Sequence, residues 1–255
     1  MPGRKSAGDA GRGQLPDRSV RGGQLLAALG IWVLLAGVVG VGTFFAAQAL
    51  APGWASANSL GALISAEVYL ALVIALVASF GGVRGLSDRL RFRIPTGRDV
   101  VLGLAAAVVI WVTTGAVYLA LFPILGSLDA VFDAFTFVGS DGGRLVSAGL
   151  VVTVLSLARA IVLTPLAEEL LFRGALFGWL RRRWPAWATI LVTTAVFSAM
   201  HAFLALMPAV FVFGIVTAWM RERTGSIAPG FVTHIANNAL IFTAIYVLTG
   251  WQAGA

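Results

Sequence analysis

The chain contains no cysteine. That absence excludes disulfide bonds, thiolate metal sites, a cysteine nucleophile and a prenylatable C-terminus of its own. Charge is scarce as well, at 11% of 255 residues, against roughly 25% in an ordinary soluble domain. Histidine is scarcer still, with only His201 and His234. The remainder is mostly apolar, 59% hydrophobic with a mean hydropathy of +0.91, and this predicts an integral membrane protein. A net charge of +7 invites a nucleic-acid reading. However, the basic residues fall in short clusters between apolar runs instead of forming a stripe with polar aromatics, so no nucleic-acid partner is expected. The clusters read as cytoplasmic anchors.

Residues 1–23 are rich in Gly, Arg, Asp and Ser and read as a disordered cytoplasmic tail. Residues 24–255 read as one membrane domain. Its first apolar run, Gln24 to Leu50, is longer than a signal-peptide core and long enough to span about 30 Å of hydrocarbon. Further runs cover Leu60 to Phe80, Val100 to Leu125, Leu145 to Leu180, Trp187 to Phe203, Met207 to Met220 and Ile227 to Leu248. The expectation is an all-α, polytopic transmembrane bundle of about seven helices enclosing a polar intramembrane cavity. Arginine clusters at Arg4 to Arg21, Arg84 to Arg98, Arg181 to Arg183 and Arg221 to Arg223 alternate with neutral or acidic loops carrying Asp129, Asp133 and Asp141. This alternation predicts a cytoplasmic N-terminus, in a bacterial plasma membrane.

The run from Leu145 to Leu180 would be about 54 Å long as a helix, more than the bilayer core requires. Thr164 and Pro165 suit an N-cap and first-turn position, so one kinked crossing with a break there is expected. No internal repeat is evident, which argues against an inverted-repeat transporter.

Ionisable residues inside such runs are expensive, and they survive mainly where they face one another or a cavity. Glu168, Glu169 and Arg173 lie in one apolar run, and the two histidines lie in later ones. Measured from the nearest basic or interfacial residue, Glu168, His201 and His234 each stand roughly 16 to 21 Å along their helices. Three segments therefore deliver polar groups to a similar depth. Glu169 and Arg173, at i and i+4, can pair along one helix face, while Glu168 is expected to point about 100° away. His234 and Asn238 share a face by the same spacing. A carboxylate at Glu168 can act as a general base toward water, with His201 holding that water or sharing its proton. His234 and Asn238 can then donate to a developing oxyanion.

Three motifs resemble those of the CAAX protease and bacteriocin-processing (CPBP) family, also called Abi, which are intramembrane proteases of many helices. Two glutamates, three residues and an arginine stand as Glu168, Glu169 and Arg173 in EELLFR, followed by Gly174. An aromatic four residues before a histidine stands as Phe197 and His201 in FSAMH. A histidine four residues before an asparagine stands as His234 and Asn238 in HIANN. The resemblance covers roughly Leu145 to Leu248 and implies that residues 145–250 form the catalytic helical core. It implies an endopeptidase in which Glu168 and His201 activate water and His234 and Asn238 stabilise the oxyanion. Glu169, Arg173 and Phe197 stand in support, and the substrate is a membrane-associated protein or peptide, prenylated or bacteriocin-like.

Plainer readings stand beside these. Glu169 with Arg173 can be a structural pair, Phe197 can serve as packing for His201, and Asn238 can be an interhelical clasp for which Asn237 competes. Glu67 and Arg159, outside the motifs, can pair across helices or line the cavity. Trp54, Trp184, Trp187 and Trp251 read as interfacial anchors. Glu168, His201 and His234 can supply three ligands to Zn²⁺ with an open water position, yet no HExxH helix is present, so a metal-free glutamate mechanism stands equally. Two other classes share the same polar residues: an ion- or proton-coupled transporter, and a non-catalytic scaffold or immunity protein.

Overall fold

The computed structural model describes residues 20–50, 57–125, 127, 129, 131, 150–201 and 204–253. Positions 1–19 of the expected tail, Trp54, Asp133 and Asp141 lie outside these residues. All seven apolar runs form helices where described, except that Met200 and His201 make a turn past the end of the fifth and Ile227 precedes the last, and one short helix is added between the second and third. Helix α1 is Gly22–Leu50, α2 is Ala57–Phe80, α3 is Gly82–Asp88 and α4 is Gly97–Leu125. Helix α5 is a composite of Leu150–Ala158, a π segment Arg159–Leu163, an α turn Thr164–Glu168, a second π segment Glu169–Leu176 and a last α turn Phe177–Arg181. Helix α6 is Ala186–Ala199, α7 is Met207–Thr224 behind a 3₁₀ turn at Leu204–Leu206, and α8 is Ala228–Ala253. Among the described residues every regular element is helical.

By length and apolar composition, Gly22–Ala46, Gly97–Ile124 and Leu204–Thr224 are able to cross a membrane. Ile64–Phe80 with Gly82–Asp88 makes a fourth if that bent pair is one span. The bend is 84° and falls on Gly81 and Gly82, whose φ values of 99° and 71° a side chain would strongly disfavour. Residues Leu26, Val33, Leu34 and Val38 of α1 and Val101, Val108, Val112 and Leu119 of α4 are large, apolar and exposed. So much bare hydrocarbon on long helices suits a lipid solvent, because helices satisfy their own backbone polar groups there. The chain is an integral membrane protein.

Helix α5 does not break at Thr164. That residue has helical angles (φ −60°, ψ −53°), caps nothing, and its N–H reaches the Arg159 carbonyl, five residues back. Proline lacks an N–H and its ring crowds the carbonyl four residues earlier. The wider π turn ahead of Pro165 relieves that crowding without ending the helix, so the expected break is replaced by a change of helical register.

Close approaches fix the neighbours of α5. Gly214 of α7 lies against Thr194 of α6, where an added Cβ would meet the Thr194 methyl at 2.7 Å. Gly103 of α4 lies equally close to Val232 of α8, and Thr233 donates to the Gly103 carbonyl at 3.2 Å. Glu67 and Arg159 do not pair with each other. Glu67 accepts from Thr43 at 2.6 Å and ties α2 to α1, whereas Arg159 donates to Ser65 at 3.0 Å and ties α5 to α2. Helix α4 starts on a carboxylate clasp, in which Thr96 donates both its backbone N–H, at 2.7 Å, and its hydroxyl, at 2.6 Å, to Asp99, and Arg93 pairs with the same carboxylate. The core runs through Leu72, Leu76, Phe80, Leu170, Phe172, Phe197 and Phe213, and the polar residues of α5 sit against its aromatic part.

Candidate active site

Glu168 and Glu169 fall at the junction of an α turn and a π segment. Adjacent residues on a regular helix would diverge, yet both carboxylates here meet one imidazole. His234 of α8 donates through Nδ1 toward Glu169 Oε1 at 3.2 Å, and its Nε2 lies 3.6 Å from Glu168 Oε2. The ring presents nitrogens on two edges, and as an imidazolium it can donate to both carboxylates although they leave the helix in different directions. The expectation that Glu168 stands apart from Glu169 is therefore modified: the two are separated by direction but joined through His234.

Accessibility distinguishes them. The Glu169 side chain has no exposed surface, whereas Glu168 keeps 13%. Glu169 also pairs with Arg173 at 3.2 Å, as the i, i+4 spacing predicts, and Arg173 is itself buried. The Arg173 guanidinium lies 4.2 Å above the Phe197 ring and 5.7 Å from that of Phe213, a cation–π setting that helps hold a buried cation. Small residues make room for this cluster. A methyl group at Gly230 would stand 3.0 Å from Glu169 Oε2, and one at Gly174 would meet the Leu90 backbone at 3.1 Å.

Phe197 is the hub of the aromatic packing. It meets Phe172 edge-on at 5.0 Å and stacks with Phe213 at 5.9 Å. Both imidazoles lie against it, His201 at 4.6 Å and His234 at 6.2 Å between centroids. His201 donates through Nδ1 to the Phe197 carbonyl at 2.8 Å, because a carbonyl can only accept. In a neutral ring this leaves Nε2 as an acceptor. No hydrogen bond or ion pair joins His201 to Glu168 among the described residues.

Asn238, one turn beyond His234, donates through Nδ2 to the Ala160 carbonyl in the first π segment at 2.9 Å. Its amide still has a second N–H. Asn237 donates to Asn238 Oδ1 at 3.4 Å, so it buttresses its neighbour. Both asparagines belong to one polar seam between α5 and α8.

Tyr69 is a site residue that no sequence motif marks. Its hydroxyl lies 3.5 Å from Glu168 Oε1, across from α2. One of only three tyrosines, it sits in an apolar run 99 residues before Glu168. The one available signal is that a buried tyrosine hydroxyl needs a partner.

Among the described residues no group of three or more His, Asp or Glu side chains is arranged to hold a metal ion. His201 and His234 each turn Nδ1 to an oxygen acceptor, the Phe197 carbonyl and the Glu169 carboxylate.

Residues 150–240 match the family model described as Type II CAAX prenyl endopeptidase Rce1-like. The matched stretch holds EELLFR, FSAMH and HIANN, and the CAAX-protease resemblance read from them is borne out there. A curated relative, an "Uncharacterized 24.3 kDa protein" of Escherichia coli, is 32% identical over 92 residues, covering 34% of this chain and 42% of the relative. The chain thus spans less than half the length of that relative. No solved structure matches.

Proposed function

From the match of residues 150–240 to the Rce1-like type of endopeptidase, we propose that this protein is an intramembrane endopeptidase of the CAAX-processing kind. It hydrolyses a peptide bond in a membrane-associated protein or peptide. The observation that carries the reading is the division of labour between the two glutamates. Glu169 is sealed against Arg173 and His234, whereas Glu168 is held by His234 and Tyr69 yet keeps accessible surface.

In this mechanism Glu168 removes a proton from water as the water oxygen attacks the scissile carbonyl carbon. The C–O bond forms and the carbonyl becomes an oxyanion. His201, with an acceptor nitrogen, orients the water. The free N–H of Asn238 donates to the oxyanion, where preorganised donors are worth the most. His234 acts chiefly by positioning the two glutamates, because its Nδ1 bonds Glu169 and its Nε2 faces Glu168 at 3.6 Å. This departs from the expected oxyanion role for that ring. As the intermediate collapses, the C–N bond breaks and Glu168 returns its proton to the leaving amine. The arginine-rich end of the bundle is read as the cytoplasmic side of a bacterial plasma membrane, with the N-terminus on that side.

The test is a comparison of protein termini in membranes of cells carrying the native chain or the isosteric Glu168→Gln variant, at matched levels of folded protein. At least one new terminus should depend on Glu168. Identical termini in the two membranes would remove the peptidase reading.

A further inference from the structure

At the opposite end of α5 from the first π segment lies a second polar feature that hydrolysis does not use. A cavity of about 340 Å³ is lined by Arg89 and Arg91 from the α3–α4 connection, Arg181 and Arg182 from the end of α5, and Arg221 with Glu222 from the end of α7. Its floor is Phe177 and Gly178, one turn beyond Arg173. Three basic clusters far apart in sequence thus converge on one concavity. That convergence is unfavourable unless something offsets the repulsion, and Arg91 does act on Arg221 as a like charge.

Among the described residues the lining supplies little compensation: Glu222 is the one lining carboxylate there, and Arg181 uses both its oxygens, with Nε at 3.0 Å from one and Nη2 at 3.1 Å from the other. Arg182 donates to the Val20 carbonyl at 3.2 Å and Arg221 to the Arg173 carbonyl at 3.1 Å. Those bonds orient the guanidinium groups without neutralising them. Arg221 is further fixed over the Phe177 ring, 5.6 Å from its centroid.

Arg91 adds an independent sign. Among the described residues it is the non-glycine residue with positive φ, at 62°, a conformation that disfavours a long side chain. Two bonds to its carbonyl hold it there, from the Ile227 N–H at 3.1 Å and the Ser226 hydroxyl at 3.2 Å. Backbone held in a disfavoured region by two hydrogen bonds, at an exposed arginine that lines the cavity, is a built feature.

We propose that this cavity binds a phosphate group, with Arg89, Arg91, Arg182 and Arg221 as its ligands. Several guanidinium groups with forked donors match tetrahedral phosphate oxygens. The volume lies at the small end for ligand sites, so it takes a phosphate-bearing headgroup but no folded peptide. Two sources share that chemistry, an anionic phospholipid headgroup at the membrane surface and a free phosphate ion. The site is independent of the peptidase reading.

The test titrates the delipidated full chain in neutral detergent with short-chain phosphatidylglycerol and, separately, with inorganic phosphate, followed by calorimetry. One saturable site is expected. It should weaken about tenfold or more in Arg89→Gln/Arg91→Gln, since removing a single charge-assisted hydrogen bond already has an effect of that size. It should be unchanged in Arg84→Gln/Arg98→Gln, which removes the same charge from exposed positions outside the cavity. Arg91→Gln alone provides a milder second variant, and ligand-free melting establishes that each variant is folded. Saturation by the lipid alone identifies the headgroup as the source, and saturation by phosphate identifies the free ion. No saturable binding of either, or equal weakening in the two double variants, overturns the proposal.

Discussion

The buried pair of Glu169 and Arg173 allows stability and catalysis to be separated by mutation. Each partner is almost wholly inaccessible, at 0% and 2% of side-chain surface, and the ions are 3.2 Å apart. Removing one charge leaves the other buried without its ion-pair partner, which typically costs about 3–5 kcal/mol. For a chain of this size that corresponds to a melting shift of roughly 6–20 °C, at about 2–4 °C per kcal/mol. Glu169→Leu and Arg173→Met should each show such a loss when the detergent-purified chain is melted by tryptophan fluorescence. Combining them replaces the ion pair with apolar groups of similar volume, a change that is often neutral, so the double variant should recover most of the loss. Activity should not recover, because Glu169 also fixes Nδ1 of His234 and leucine has no acceptor. A single variant that melts within about 2 °C of the native chain would refute the coupling. So would a double variant that loses the sum of the singles, since uncoupled residues simply add. Recovered cleavage in the double variant would reduce the pair to packing alone.

Two further outcomes follow from the same geometry. Tyr69→Phe removes the hydroxyl 3.5 Å from Glu168; a long hydrogen bond to a carboxylate is worth about 1–1.5 kcal/mol, so kcat should fall roughly tenfold with KM and the melting temperature little changed, and an unaltered kcat would make Tyr69 a bystander. Gly230→Ala puts a methyl group 3.0 Å from Glu169 Oε2 on a side chain with no exposed surface; overpacking of this kind costs about 1–3 kcal/mol, so melting and cleavage should both decline, while Gly115→Ala, with nothing within 4 Å of its added Cβ, should leave both intact.

The polar site is legible in the sequence where its geometry is local. The pairing of Glu169 with Arg173 follows from residues four apart on a helix, and the structure has it. The placement of Asn238 one turn beyond His234 also holds, and α8 carries both to the same seam with α5. Local spacing misleads where the helix is not regular. Thr164 and Pro165 suggest a break, but π turns absorb the proline and alter the directions in which Glu168 and Glu169 leave α5. Tyr69 and Gly230 have no local spacing that connects them to Glu168 or Glu169. Their relevance arises from how α2 and α8 rotate against α5.

The sequence by itself determined that this chain lives in a membrane, that its apolar runs are helices, and which acid, imidazole and amide groups are available for chemistry. Those are properties of composition and of the helical repeat, and they hold whatever the neighbours do. Tertiary structure alone decided that one histidine bridges two adjacent glutamates, that only one of those glutamates is reachable, and that three distant arginine clusters close around a single cavity. Each of these depends on the tilt, rotation and register of separate helices, which are set by small residues meeting across interfaces and leave no periodic signal along the chain.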